Sequence, residues 1–292
     1  MMIRVLVVSN PTIDHVLTSE GDKQVRVGGP GFYAGLYSSI IGSLVYAYGS
    51  ARPQHVEFIR RAYNKVGVKA LIKPGQCTQE FDLIYTRGSR IVRSRSYCPL
   101  PSNNSLNKLG LFDVVIWSPT LIVENGDLAF LTPVFDGFLA VDVQGVARSR
   151  RFIADFFRVA YRCEVDVIHG DVNEVSILLG LERGENLKEK LELLPCREVI
   201  VSNGRESLLV RNERGYVYKV DPPMRVQERE STGAGDVLLA TFSVLRTKMN
   251  LEESIKLAVS IATLHVHALN YGDGFSAEDA KKFSAKVKIG RI

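Results

Sequence analysis

Glu230-Ser231-Thr232-Gly233-Ala234-Gly235-Asp236, running straight into Val237-Leu238-Leu239-Ala240, is the most informative stretch of this chain. Two glycines one residue apart allow backbone conformations closed to other residues, and they let a ligand approach the main chain. The apolar run after them reads as a helix, so the turn becomes its N-terminus, where several N–H groups lack intrahelical partners and converge. Together with the helix dipole they make an anion site, suited to charge building on a phosphoryl group. Asp236 falls in the first turn, where the same field is expected to hold it ionised. A carboxylate beside an anion hole serves an alcohol nucleophile, which needs a nearby base to take its proton during attack. The competing reading is an ordinary helix with Ser231 or Thr232 as N-cap and an acidic first turn.

Outward from this turn, short β-branched runs alternate with amphipathic stretches. Strands are expected at Arg4–Ser9, Leu44–Tyr48, Val68–Ile72, Asp113–Trp117, Phe138–Val143, Val165–His169 and Glu198–Ser202. Helices are expected at Phe32–Ile41, His55–Val66, Arg150–Arg162, Val172–Leu179 and Leu187–Leu194, then at Asp236–Arg246, Leu251–Leu269 and Ala277–Phe283. This alternation predicts an α/β fold with a mainly parallel central sheet flanked by helices on both faces. Leu17–Val27 and Phe81–Tyr97 break the pattern as hydrophilic ribbons, and a hairpin pairs Leu208–Arg211 with Tyr216–Val220. With no internal repeat and no linker, residues 1–292 read as one domain carrying a small β-ribbon lid at about 15–27 and 78–98.

The order T-G-A-G-D resembles the C-terminal signature of the ribokinase-like (PfkB) carbohydrate kinases, D-T-x-G-A-G-D, with Glu230 and Ser231 as departures from its first two positions. The resemblance implies that Asp236 is the catalytic base and that the amides of Gly233, Ala234 and Gly235 form the anion hole. Gly28-Gly29-Pro30-Gly31 resembles the family's di-glycine substrate motif, and Asp14, after the first strand, matches an acidic residue that binds substrate hydroxyls. Tyr33 stands near a position where ribokinases proper carry Asn, which speaks against ribose; its ring either stacks on a ligand or packs in the core. Asp142-Val143-Gln144-Gly145 is similar to the family's D-x-Q-G segment. Asn173 matches the start of its N-x-x-E motif, which helps organise phosphate and magnesium, but Ser176 replaces the final Glu, leaving Glu174 or Asp171 to supply a carboxylate. Ser202 and Gly204 resemble a nucleotide-contacting turn whose later glycine is here Ser207, while Thr232 and Gly272 fall where the family meets the nucleotide.

The resemblance thus implies ATP and Mg²⁺ as cofactors, with no metal ligand assigned, and a small sugar or polyol, inositol-like or nucleoside, as acceptor. Two alternatives stand beside it: a kinase of a sugar acid or sugar phosphate, and a binding protein of the same fold that has lost transfer. The first would give Arg87, Arg90, Arg93 and Arg95 a task, since guanidinium forks suit phosphate; otherwise they form a solvated ribbon. In 292 residues that are 46% hydrophobic and 24% charged, 37 Lys+Arg against 32 Asp+Glu leave a net charge of +5. That surplus suits an anionic ligand without demanding nucleic acid. The uncharged stretch Val27–Ala51 has the length of a membrane span, but its six glycines, proline and four serines read as loop, helix and strand. Cys77, Cys98, Cys163 and Cys196 form no C-x-x-C pair and no signal-like segment precedes Ile3, so they read as reduced thiols of a cytoplasmic protein. His15, His55 and His169 are scattered, and His265 and His267 lie two apart on a helix, a poor metal pair. Unpaired ribbon edges suit pairing of two copies through the lid.

Overall fold

The first strand shows why the sheet is covered twice. In β1 (Ile3–Val8), Val5 and Val7 enter one buried cluster while Leu6 and Val8 enter another, because alternate side chains leave opposite faces of a strand. The computed structural model describes residues 2–18, 20–86, 89–101, 111–131, 135–182, 185–226, 230–271 and 274–292. After β1 come β2 (Thr12–Leu17), β3 (Lys23–Gly28), α1 (Pro30–Gly35), α2 (Ser38–Ile41), β4 (Ser43–Ala51), α3 (Pro53–Lys65) and β5 (Lys69–Pro74). Next are β6 (Gln79–Thr86), β7 (Ser89–Ser94), β8 (Val114–Trp117), β9 (Phe138–Asp142), α4 (Gln144–Ser149), α5 (Ile153–Ala160), β10 (Val167–Asp171) and α6 (Val172–Leu179). The chain ends with α7 (Leu187–Lys190), β11 (Glu198–Ser202), β12 (Leu208–Arg211), β13 (Val217–Asp221), α8 (Ala234–Arg246), α9 (Leu251–Tyr271), α10 (Ala277–Ser284) and β14 (Lys288–Arg291).

Among the described residues, ten strands form the main sheet in the order β14-β13-β12-β11-β10-β9-β8-β1-β4-β5. From β11 through β5 every neighbouring pair is parallel; β12, β13 and β14 add an antiparallel edge. Helices α3, α8 and α9 cover one face with Ile59, Phe242 and Ile255, and α5 and α6 cover the other with Phe156 and Val175. The fold is therefore the expected α/β architecture. Ends of β1, β9, β10 and β11 converge at the carboxyl edge of the sheet, where such folds place their ligands.

A second, four-stranded sheet, β3-β2-β6-β7, stands off from the first. Val16, Phe81, Leu83 and Tyr85 form its own small buried cluster. Asn10 anchors its return to the core: Nδ2 donates to the carbonyls of Cys98 and Pro99 at 2.9 and 3.0 Å, and Oδ1 accepts from the Ser50 amide at 2.9 Å.

Several local expectations change. Phe32–Ile41 is two short helices, and Arg150–Arg162 shortens to α5, because Arg150, at φ 37°, is the C-cap of α4. The first lid strand starts at Thr12, so Asp14 belongs to the lid rather than to a loop after β1. Cys77 and Cys98 form a disulfide across the base of the β6–β7 hairpin, which corrects the reading of four reduced thiols; Cys163 and Cys196 stay free.

Candidate active site

The glycine turn is built as the sequence implies. Gly233 caps α8 in the left-handed region at φ 79°, and a Cβ there would run into the Tyr33 ring. Val237 N–H makes the first helical bond, to Gly233 O at 2.9 Å, while Ala234 N–H closes the turn onto Ser231 O at 3.2 Å. By helix geometry the remaining first-turn amides, at Gly233, Gly235 and Asp236, have no acceptor within α8, and all three residues line the cavity. Thr232 is gripped from two directions: its Oγ1 shares a hydrogen bond with Tyr85 OH of the lid, and its carbonyl accepts from His265 Nε2 of α9 at 2.9 Å. A carbonyl only accepts, so His265 carries its proton on Nε2 and takes the Tyr37 hydroxyl on Nδ1 at 2.9 Å. Burial lowers the His265 pKa, in keeping with that neutral form.

Asp236 differs from expectation in one respect. The helix field suggested a carboxylate held ionised, yet burial and, next to it, the Asp142 charge push its pKa up to about 8; His169 and Arg148 pull the other way. Gln144 Nε2 lies 3.5 Å from Asp236 Oδ1 and donates also to Ser118 Oγ at 3.2 Å. Between the end of β9 and the middle of β10, His169 Nδ1 donates to Asp142 Oδ2 at 2.8 Å with both side chains buried. Burial is the largest single influence and opposes the His169 cation, but the Asp142 hydrogen bond together with the charges of Asp142, Glu174 and Asp236 outweighs it, and the imidazole pKa rises. His169 Nε2 is buried without a protein partner, and its ring lies so close to α8 that a Cβ on Gly235 would come 3.0 Å from Cε1. No sequence spacing marks this dyad, because its members come from neighbouring strands that only the sheet brings together.

One cavity of about 280 Å³ joins these groups. Its lid end is lined by Thr12, Asp14, Gly29, Tyr33, Phe81 and Leu83, and its far end by Ser202, Gly204, Leu208, Met224 and Val266. Thr232, Gly233, Ala234, Gly235 and Asp236 lie along it, with Asp142, His169 and Arg148. Thus Asp14, Gly29, Tyr33, Ser202, Gly204 and the T-G-A-G-D segment meet in one place from both ends of the chain. Gly28 serves differently: it is buried beside the cavity, and a Cβ on it would overlap the Asp14 carboxylate, so its bareness makes room for that side chain. Gly29, at φ 97°, caps α1. Burial, then Asp14 and Asp236, raise the Tyr33 pKa well above normal, so the phenol stays neutral.

Asn173 is exposed and stands outside the cavity lining, whereas Asp171 and Glu174 line it. The reason is the capping box at the start of α6: Asp171 Oδ1 accepts from Glu174 N at 2.8 Å and Glu174 Oε2 from Asp171 N at 2.9 Å, turning these two inward and Asn173 out. Burial, with Asp142 and Asp171 nearby, pushes the Glu174 pKa up to about 7. Among the described residues no three His, Cys, Asp or Glu groups stand close enough to hold a metal ion. Gly272 lies outside the described residues, as do Arg87 and Gly88; Arg93 and Arg95 do not line the cavity, and Arg95 instead pairs with Asp82 at 2.6 Å.

Residues 151–277 match the sequence model described as pfkB family carbohydrate kinase. Among solved structures, a pyrophosphate-dependent kinase in the ribokinase family, complexed with a pyrophosphate analog and myo-inositol, superposes with a TM-score of 0.74 at 16% identity over 96% of this chain and 100% of its own. A possible 1-phosphofructokinase from Thermotoga maritima superposes with a TM-score of 0.73 at 18% identity, over 99% of each chain. A probable sugar kinase from Rhizobium etli gives 0.75 at 16%, over 98% of this chain and 100% of that one. These likenesses show that the fold is ribokinase-like. No curated protein matches the sequence significantly.

Proposed function

We propose that this chain is a pfkB-family carbohydrate kinase, transferring the terminal phosphoryl group of ATP to a hydroxyl of a small sugar or polyol. The observation that carries the reading is the position of Asp236: a carboxyl in the first turn behind a left-handed Gly233, in one cavity with Asp14 and Gly29 on one side and Ser202 and Gly204 on the other. Asp14 and the Gly29 backbone hold acceptor hydroxyls. Asp236 takes the proton of the attacking hydroxyl as its oxygen bonds to phosphorus, and the electrons of the broken P–O bond leave with ADP. The amides at the start of α8 meet the charge spread over the phosphoryl oxygens. Lid residues Phe81 and Leu83 close the acceptor end with apolar surface, which keeps out the water that would otherwise compete as nucleophile.

The far end of the cavity favours a nucleotide donor over bare pyrophosphate. Leu208, Met224, Val259, Ala262 and Val266 make an apolar wall beside the Ser202–Gly204 turn, the lining a purine base requires and an inorganic donor does not. Magnesium, which shields charge between phosphates when bound, fits as an ion carried in on the donor, because Mg²⁺ typically takes only one or two carboxylates beside phosphate and water. Glu174 and Asp171, which line the cavity, would be the carboxylates to meet it.

A neutral acceptor fits better than an anionic one. Arg93 and Arg95 of the lid do not line the cavity, so they lend a sugar phosphate no support. The departures that suggested an inactive member also lose weight. Ser176 Oγ donates within α6 to Val172 O at 2.6 Å, Ser207 Oγ donates to Asp221 Oδ1 at 2.5 Å, and neither lines the cavity.

The test is ADP release from Mg-ATP against polyols, sugars, sugar acids, sugar phosphates and nucleosides, with pyrophosphate as the competing donor. Turnover is expected with a neutral polyol or sugar and ATP. Binding of ATP with no turnover on any acceptor would reject the kinase reading in favour of a binding protein.

A further inference from the structure

Two polar contacts tie the lid to the glycine turn, and the transfer mechanism above gives neither a task. Arg26 of β3 presents Nη1 and Nη2 to the two carboxylate oxygens of Glu230, at 2.6 and 2.9 Å. Tyr85 of β6 shares its hydroxyl hydrogen bond with Thr232 Oγ1, so both partners lie within three residues of Gly233. Glu230 is also the position where the signature departs from its usual Asp, and the longer side chain is the one engaged by the guanidinium.

The register of the lid links these contacts to the acceptor. Arg26 lies directly across from Asp14 in the β2–β3 pair, and Phe81, two residues before Leu83 and four before Tyr85, lines the acceptor end. A movement of the lid sheet that shifts Asp14 therefore shifts Arg26 and Tyr85 with it. From the other side the same turn is held by elements of the core: His265 of α9 on the Thr232 carbonyl, and Tyr33 of α1 against Gly233. Electrostatics add a second reason for the fork. Glu230 is largely buried, and without Arg26 its negative charge would stand beside the place where phosphate binds, opposing it.

We propose that Arg26 and Tyr85 are positioning residues: seated by the lid, they hold the Glu230–Gly235 turn in its anion-binding form, so that closing over the acceptor completes the site for the donor phosphate. This rests on the kinase reading for its catalytic consequence, though the physical coupling does not.

The experiment compares wild type with Arg26→Met, Arg26→Lys, Tyr85→Phe, Glu230→Arg and the reversed pair Arg26→Glu/Glu230→Arg, by steady-state kinetics and by amide hydrogen exchange over residues 231–237. Arg26→Met is expected to lower kcat by roughly 10- to 100-fold with acceptor KM changed less than about threefold, the scale of a small misalignment at the reacting atoms. Arg26→Lys should recover part of the loss, keeping charge but not the fork. The reversed pair should exceed both Arg26→Met and Glu230→Arg. Exchange over 231–237 should quicken in Arg26→Met and Tyr85→Phe while β9–β11 stay protected. Unchanged kcat and unchanged exchange would overturn the proposal, as would a rise in acceptor KM at intact kcat, or loosening spread evenly over the chain. If wild type turns over no acceptor, the kinase reading fails by itself, and the exchange comparison still decides whether the lid holds the turn.

Discussion

At the scale of single residues, Asp236 shows how a functional position works against the fold. Its pKa of about 8 means that the protein disfavours the ionised carboxyl, through burial first and Asp142 second. The unfolded chain releases this proton near the ordinary Asp value of about 4, so between about 4 and 8 the folded state holds more protons. Stability therefore falls as pH rises through that window and levels off above it. Asp236→Asn removes the charge and keeps the shape, so its melting temperature should overtake that of wild type by an amount that grows from pH 5 to pH 8; a constant difference would contradict the buried carboxyl. The same variant should lose roughly 10²- to 10⁴-fold in kcat, the usual worth of a general base. In wild type, kcat/KM should climb about tenfold per pH unit below 8 and flatten above, since only the ionised base accepts a proton. Asp236 was legible from its neighbours in sequence. The groups that set its proton affinity were not, because Asp142 and His169 lie on separate strands and neither has a motif that announces a buried pair.

Among elements, the legible part was what local chemistry decides. The strand Glu198–Ser202 and the helix Val172–Leu179 fall where the sequence puts them, since a β-branched apolar run and an Asp-x-x-Glu capping box fix them within a few residues. Phe32–Ile41 reads as one helix because its apolar residues continue through the break at Leu36–Tyr37, and β14 has no signal of its own because Lys288–Arg291 gains its strand form by pairing with β13. The α8 turn lies between these cases: glycine spacing made it readable, and its tertiary contacts make it sensitive. Gly233→Ala would force a left-handed residue at a cost of about 1–2 kcal/mol and drive a methyl into Tyr33. Gly235→Ala keeps a helical conformation and meets only the His169 ring edge, 3.0 Å away. Both should lose turnover, but Gly233→Ala should lower the melting temperature more. Equal melting temperatures would mean that the Tyr33 contact yields without cost.

For the molecule as a whole, the question is how a lid of four strands keeps its place on a ten-stranded core. Sequence patterning showed two ribbons but not their union: β2 and β6 pair in parallel although residues 18–78 lie between them, with Ile13 opposite Glu80 and Asp14 opposite Phe81. Nor did it show the covalent tie, since Cys77 and Cys98 are spaced unlike any metal or redox motif and meet only because β6 and β7 form a hairpin. Closing a loop of this size removes unfolded-state entropy worth about 3 kcal/mol. The base of the hairpin has a second anchor in the Asn10 bonds to Cys98 and Pro99, so cutting the disulfide should loosen the lid without detaching it. Thiol titration of the denatured, unreduced protein should therefore find Cys163 and Cys196 and not the other pair. Replacing Cys77 and Cys98 together with alanine should lower the melting temperature and raise acceptor KM, because Asp14, Phe81 and Leu83 ride on the lid, while ATP affinity at the core end changes little. Four reactive thiols in the titration would remove the bond from the account, and an acceptor KM indifferent to the double replacement would mean that the Asn10 anchor and the β2–β6 pairing hold the lid by themselves.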